Sequence, residues 1–443
     1  MNGQQYDLII VGGGPGGYPA AIRASQKGLK VAVVEKYKVG GTCLQWGCVP
    51  TKVILESAEI LSTMKRSQEF GISAENVTLN FDQVAKRRDK VVVQHTQGTE
   101  WLLKKNNVTL IIGEARLTAP TTVQVTPADG GEATQLSAKD VIIATGSVPK
   151  SLPGVTMDGE KVINSDQAVT LGYVPKSVVI IGAGAIGSEF ASAWNDLGAE
   201  VTLVEMLPTV VPLEDPEVGQ ELAKQFKRRG IKVMAGAKVK LESIKAGEGG
   251  VELEIESEGS SQKLQAEKLL IATGRGAVTQ GLGLEELGVK MERGFIKVDG
   301  QMGTGIPHLH AIGDVVGGLM LAHKATHEGF IAVEAILGNA PRPLDSNRVP
   351  RCTYTRPQVA SVGISEEEAR KNGRQVKVGN FPFSANSMAT ILSERIGFAK
   401  VVTDEESGEI LGVHLLGPRV TELIYGPALA KLLESTMEEV ALN

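Results

Sequence analysis

YDLIIVGGGPGGYPAAIRASQKGLKVAVVE, residues 6–35, reads as an apolar run, a glycine-rich turn, a helical pattern and a second apolar run ending in an acid. The glycines are Gly12, Gly14 and Gly17, and the acid is Glu35. The pattern returns in SVVIIGAGAIGSEFASAWNDLGAEVTLVE, residues 177–205, with Gly182, Gly184, Gly187 and Glu205. In both copies the acid lies 18 residues after the third glycine. One G-x-G-x-x-G is weak evidence. Two complete strand–loop–helix–strand–acid units predict two separate dinucleotide sites. The glycines permit a tight turn and close backbone approach to a pyrophosphate, and the helix N-terminus offers unpaired N–H groups to it. Glu35 and Glu205 would accept hydrogen bonds from ribose hydroxyls; an ordinary strand-end acid is the bland alternative, and the matched spacing argues against it. Pro19 is expected beyond the first helical turn, where it would remove a backbone donor.

Each unit closes on a similar strand, DVIIATGSVP (residues 140–149) and KLLIATGRGA (residues 268–277), which adds Thr145, Gly146 and Gly274 to the candidate cofactor residues. Residues 232–268 alternate as short, charged, hairpin-like strands. NAPRPLDSNRVP, residues 339–350, reads as a linker. Beyond it, PQVASVG, ILGVHLLG and ALAKLLESTMEEV carry no nucleotide loop and suggest a separate domain for association. The expected fold is α/β: two Rossmann-like dinucleotide-binding domains (residues 1–147 and 148–277), a central segment completing the first site (278–342), and a C-terminal α+β dimerisation domain (343–443).

At 443 residues the chain is long enough for two to four domains. Its 42% hydrophobic and 22% charged residues, with 52 glycines, fit a globular α/β protein rich in tight turns. A net charge of −5 with no long basic block argues against nucleic acid, and no apolar run is long enough to span a membrane. The start, MNGQQYDLIIVGGG, enters a strand at once, so no leader is expected. Three cysteines fit a reducing compartment, and a cytoplasmic location is expected.

GGTCLQWGCVPTK, Gly40 to Lys52, places Cys43 and Cys48 with four residues between them, just after the first nucleotide unit. A bridge between them closes a short ring, and on an ideal helix residues five apart point to different sides, so it would distort the turn. Strained or exposed disulfides are the reducible, catalytic kind. Two core thiols or half a zinc site are the alternatives, which the flanking glycines and nucleotide units disfavour. Cys352, in VPRCTYTRP, reads as an inert buried thiol. His323 and His327 have an i, i+4 spacing that metals use, but no third ligand accompanies them, so no metal site is expected. The acidic run Glu366, Glu367 and Glu368 reads as a solvated helix start.

Together these features resemble the flavin-dependent pyridine nucleotide–disulfide oxidoreductases, most closely their dihydrolipoamide dehydrogenase branch. The resemblance runs in order along essentially the whole chain, through VGGGPGGYPAAIRA, the cysteine segment, ATGSVP, IGAGAIGSEFA, AIGDVVGGLMLAHKATHEG, YTRPQVASVG, FPFSANSMA and LLGPRVTELI. It implies that the first unit binds FAD, the second NAD(P)H, and that the last domain forms a twofold homodimer. It implies further that Cys48 is the flavin-proximal thiol, in charge transfer with the isoalloxazine, and Cys43 the interchange thiol. Lys52 would lie near the flavin N5 with Glu189 as its ion-pair partner; two unrelated surface charges are the alternative. Asp314 would hold the ribityl chain, and Leu321 to Ala325, including Ala322, would lie beside the ring. Met388 stands where many relatives carry arginine. NADPH-specific relatives place arginines after the second acid; here Glu205-Met-Leu-Pro-Thr-Val-Val has none, so NAD is expected.

The implied activity is oxidation of dihydrolipoyl groups, carried by proteins of 2-oxo acid dehydrogenase or glycine cleavage complexes, with transfer of two electrons to NAD⁺. In that branch a His-x-x-x-x-Glu motif, the general base, follows a segment like LLESTMEEVAL. The sequence stops at Asn443, where it should begin, and none of the six histidines replaces it by family position. A trimmed or lost tail and weak lipoamide turnover are expected. The rival readings are a mercuric-reductase-like enzyme, an NADH diaphorase, and a turnover-deficient structural subunit of a multienzyme complex.

Overall fold

The computed structural model describes residues 4–257 and 259–442. Expectations placed on residues 1–3 and on residue 443 lie outside the described residues. The chain divides into two compact units, one of residues 1–51, 87–148 and 275–344, the other of residues 52–86, 149–274 and 345–443.

In the first unit the strands Thr109–Ile112, Val31–Glu35, Gln4–Val11 and Thr134–Ile143 lie side by side in parallel. Thr122–Thr126 and Glu114–Ala119 continue the sheet antiparallel, and Leu309–Ala311 pairs in parallel with the end of Thr134–Ile143. Leu8, Ile9 and Ile10 are fully buried, as a parallel strand covered on both faces demands, which is why the sequence reads as an unbroken apolar run. The helix Gly17–Gln26 follows the first glycine loop. Pro19 therefore lies within the first helical turn, contrary to expectation, where N–H groups have no intrahelical acceptor and a proline removes nothing.

The second unit repeats the arrangement: Lys232–Ala235, Glu200–Glu205, Ser177–Ile181, Lys268–Ile271 and Val162–Ile163 form a parallel sheet, with the helix Ala185–Leu197 after the second glycine loop. The hairpin-like reading of residues 232–268 holds for the antiparallel strands Lys238–Gly247, Gly250–Ser257 and Ser260–Ala266. Its two ends instead join the parallel sheet. Residues 345–443 contribute a five-stranded antiparallel sheet ordered Arg351–Thr353, Gln358–Gly363, Ile410–Gly417, Phe398–Asp404 and Val376–Pro382. Lys400 on that sheet, 2% exposed, bonds Asp215, Glu217 and Glu366 at 3.1, 2.6 and 3.0 Å. Glu366 is thus turned inward by a buried ammonium and is not simply solvated. The fold is α/β, and no helix among the described residues is long and apolar enough to cross a membrane.

Candidate active site

The two glycine loops are built alike. A Cβ added at Gly17 would lie 1.9 Å from Gly12 O, and one at Gly187 would lie 1.9 Å from Gly182 O, so only glycine lets each helix start this close to its strand. Glu35 Oε2 accepts from Gly13 N at 2.7 Å and Oε1 from Tyr37 N at 3.0 Å. Glu205 does the same with Ala183 N at 2.7 Å and Leu207 N at 2.9 Å. The matched spacing therefore has a structural role: each acid ties its own loop to the end of the second strand. Neither helix has a side-chain cap or an acid in its first turn, which leaves the N-terminal N–H groups and positive dipole end for an anion. These donors, with the two acids, fit a dinucleotide pyrophosphate and ribose in each unit.

The redox segment lies directly on the first loop. Gly40 N donates to Gly13 O at 2.8 Å, and a Cβ at Gly41 (φ +57°) would lie 2.7 Å from Gly14 Cα. Cys43 belongs to the short helix Gly41–Gln45, while Cys48 opens the helix Cys48–Lys65. The helix breaks at Trp46 and Gly47, so the cysteines do not share one helix and the expected helical distortion does not arise. Gly47 folds the second start back on the first, its ideal Cβ 2.7 Å from Thr42 O and 3.2 Å from Cys43 Cα. Cys48 is exposed at the N-terminus of an 18-residue helix, an environment that favours a thiolate. Burial pushes the Tyr18 phenol up in pKa, and Cys43 pushes in the same direction, so the two are neighbours. Tyr18 also lines a groove of about 610 Å³ whose walls mix apolar Ile22 and Phe330 with charged Arg23, Glu334 and Arg342.

Asp314 sits on the turn Gly313–Val316 and accepts from Ser147 Oγ. Arg275 donates to Ser147 Oγ and Ser147 O, both at 2.7 Å, and reaches Thr42 Oγ1 at 3.4 Å. Behind the turn, Glu328 accepts from Gly313 N at 2.8 Å, and Lys324 donates to Gly317 O at 2.9 Å and pairs with Glu328 at 2.7 Å. Burial pushes the Glu328 carboxyl up despite the adjacent ammonium. Ala322 starts the helix Ala322–Ile336 that carries this pair. Thr145 Oγ1 donates to Val278 O at 2.7 Å, and Gly146 and Gly274 have open space where a Cβ would stand. Arg275 and Ser147 were missed from sequence, although Arg275 directly follows the candidate Gly274.

In the second unit Lys52 Nζ donates to both oxygens of Glu189, at 2.7 and 2.8 Å. Glu189 is 5% exposed and also accepts from Tyr354 N at 2.9 Å, while Lys52 lies 4.7 Å from the Tyr354 ring centre. Cys352, expected to be buried, is only partly so; burial, and then Glu214, push its thiol up to about 11. His414 is fully buried on Ile364 O at 3.0 Å, with its pKa lowered by burial. His308 contacts Asp140 at 3.1 Å, and burial lowers His310. Among the described residues no cluster of three metal-ligating side chains occurs, His323 and His327 included.

The family model described as pyridine nucleotide-disulphide oxidoreductase matches residues 6–329, and the corresponding dimerisation domain matches residues 349–443. The chain is 44% identical over 443 residues to a dihydrolipoyl dehydrogenase of Bacillus subtilis (strain 168), covering 98% of this chain and 94% of that protein. It is 46% identical over 421 residues to one from Chlorobaculum tepidum, covering 95% and 89%. Among solved structures, LpdA from Mycobacterium tuberculosis superimposes with a TM-score of 0.91 at 27% identity, covering 99% of this chain and 95% of the other. The HOCl-induced flavoprotein disulfide reductase RclA from Escherichia coli, in a copper(II) complex, gives 0.86 at 26%, covering 98% and 94%.

Proposed function

The chain belongs to the pyridine nucleotide-disulphide oxidoreductase family, and from that premise we propose that it is a dihydrolipoyl dehydrogenase using FAD and NAD. Residues 1–147 with 278–342 form the FAD-binding part, residues 148–277 the NAD-binding part, and residues 343–443 the dimerisation part. The supporting observation is the seating of the Cys43–Cys48 segment on the first dinucleotide loop through Gly40, Gly41, Gly13 and Gly14.

Bound FAD supplies two-electron transfer between a dithiol and a nicotinamide. The protein handles the sulfur chemistry. A dihydrolipoyl thiolate attacks Cys43 Sγ, the Cys43–Cys48 bond breaks, and Cys48 leaves as a thiolate at its helix N-terminus. The second substrate thiolate then displaces Cys43 and leaves as cyclic disulfide. Lys52, held by Glu189 and Tyr354, supplies a fixed positive charge. Asp314, held by Ser147, fits a hydroxyl-bearing ribityl chain. Glu205 would repel a 2′-phosphate, which favours NAD over NADP.

Matching of residues 349–443 to the dimerisation domain supports a homodimer, and residues such as Tyr425 (74% exposed) and Leu433 (67%) offer apolar surface for it. Lipoyl-bearing proteins of 2-oxo acid dehydrogenase or glycine cleavage complexes are the proposed partners, in the cytoplasm. Anaerobic titration with NADH followed by a dihydrolipoamide assay with NAD⁺ tests the reading. Expected are a long-wavelength absorbance band, lost in Cys48→Ser, and NAD⁺-dependent lipoamide oxidation. Absence of the band would remove the Cys43–Cys48 assignment. Turnover of mercuric ion with NADPH in place of lipoamide would move the protein to a mercuric-reductase reading.

A further inference from the structure

Between the two cysteines stands one amide that the exchange reaction leaves unused. Gln45, the last residue of the helix Gly41–Gln45, directs Nε2 to two acceptors, Val39 O and Thr96 Oγ1, each at 2.8 Å. Both amide hydrogens are thereby placed. Thr96 lies in the long helix Phe81–Lys105, is 7% exposed, and gives its own hydrogen to Val92 O at 2.9 Å, so its lone pairs face Gln45. Val39 immediately precedes the glycines that rest on the first nucleotide loop. The amide therefore ties the Cys43 turn to two elements with no sulfur chemistry of their own. The turn's backbone bonds are long by comparison, Leu44 N to Gly40 O at 3.4 Å and Trp46 N to Thr42 O at 3.1 Å. Trp46 adds a second brace, its ring edge-on to Tyr37 at 6.2 Å.

We propose that Gln45 is a positioning residue that holds the Cys43 turn against Cys48 and so sets the dithiol–disulfide equilibrium of the pair. This rests on the reading of Cys43 and Cys48 as the exchanging pair. The stability of an intramolecular disulfide follows the effective concentration of one thiol at the other, which a fixed backbone raises and a loose one lowers. The reaction measured is balanced: the Cys43–Cys48 bond and two glutathione thiols give two protein thiols and one glutathione disulfide, with two electrons and two protons transferred to the pair.

The test equilibrates the FAD-loaded protein with glutathione buffers of graded potential and counts alkylated Cys43 and Cys48 by mass. Gln45→Met, which keeps the length and loses both donors, should shift the equilibrium about tenfold toward the dithiol, or ~30 mV. Thr96→Val should shift it in the same direction by less, and Thr96→Ser should leave it unchanged. Thermal midpoints of the oxidised proteins are recorded in parallel. An unchanged equilibrium in Gln45→Met, whether or not its midpoint falls, overturns the positioning role. If the native pair fails to titrate at all, the redox-pair reading falls first.

Discussion

Lys52→Met preserves most of the side-chain stem and deletes the ammonium. Glu189, 5% exposed, then loses contacts of 2.7 and 2.8 Å and keeps only the Tyr354 N–H at 2.9 Å. Breaking a buried ion pair from one side costs about 3–5 kcal/mol, because the abandoned charge stays buried. Here the Lys52 side chain is 33% exposed, so water reaches the mouth of the pair. That screening reduces the cost to about 2–3 kcal/mol. Loss of the ammonium over the Tyr354 ring adds about 0.5 kcal/mol. The opposite truncation differs. Glu189→Gln leaves a lysine that is 33% exposed and within reach of water, and still offers an acceptor to Tyr354 N–H, at a cost of about 1 kcal/mol. The double variant should then resemble Glu189→Gln, with a coupling energy of about 3 kcal/mol. Urea unfolding at neutral pH, followed by circular dichroism, measures all four proteins. Equal losses in the two single variants, or strict additivity in the double, would refute the claim that the carboxylate is the buried, dependent partner.

Gly47→Ala places a methyl 2.7 Å from Thr42 O, and since the contact is with backbone the two cysteine-bearing turns must part. A loss of about 1–3 kcal/mol and slower Cys43–Cys48 closure are expected; closure at the native rate, followed by quenched alkylation, would show that Gly47 is not packed as described. The Cys352 thiol, raised by burial from 9.0 to about 11, keeps its proton through a range where the unfolded chain loses it. The unfolded state then binds fewer protons, so this contribution is full below about pH 9 and lost as pH rises through about 11, worth roughly 2–3 kcal/mol. Cys352→Ala should flatten that alkaline slope in chemical denaturation, and an unaltered slope would locate it elsewhere. Lys324→Met leaves Glu328, 4% exposed, facing Gly313 N without its cation. FAD retention should weaken by about tenfold in equilibrium dialysis read by flavin fluorescence, corresponding to about 1.4 kcal/mol. Native retention would separate the pair from the Asp314 turn.

What the sequence revealed was local. Gly12, Gly14 and Gly17, then Glu35, lie within one turn, one helix and one strand, and their repetition at Gly182 to Glu205 carried the fold. The Lys52–Glu189 pair came from family resemblance, since 137 residues separate its members and no periodicity connects them. Arg275 and Ser147, 128 residues apart, escaped notice for the same reason. So did Gln45 and Thr96, 51 residues apart, which look like ordinary polar residues until the chain is folded. Pro19 was misplaced because a glycine-rich loop gives no sharp signal of where its helix begins. Glu366 looked solvated because the burial of Lys400 is decided by a different strand. The strain argument for Cys43 and Cys48 presumed one continuous helix, and the break at Trp46–Gly47 removes it.

The double anchorage of Glu205 has a consequence for redesign. Its two oxygens are committed to Ala183 N and Leu207 N, at 2.7 and 2.9 Å, so the side chain is a fastener of the glycine loop as well as the proposed coenzyme selector. Exchanging it for arginine to attract a 2′-phosphate would strip two backbone donors of their acceptor while adding a cation where the loop now receives a carboxylate. Coenzyme preference is therefore not a dial that one substitution can turn. A successful switch has to restore both lost acceptors from neighbouring positions, and a variant library confined to Glu205 would trade affinity for one coenzyme against disorder in the loop that grips either.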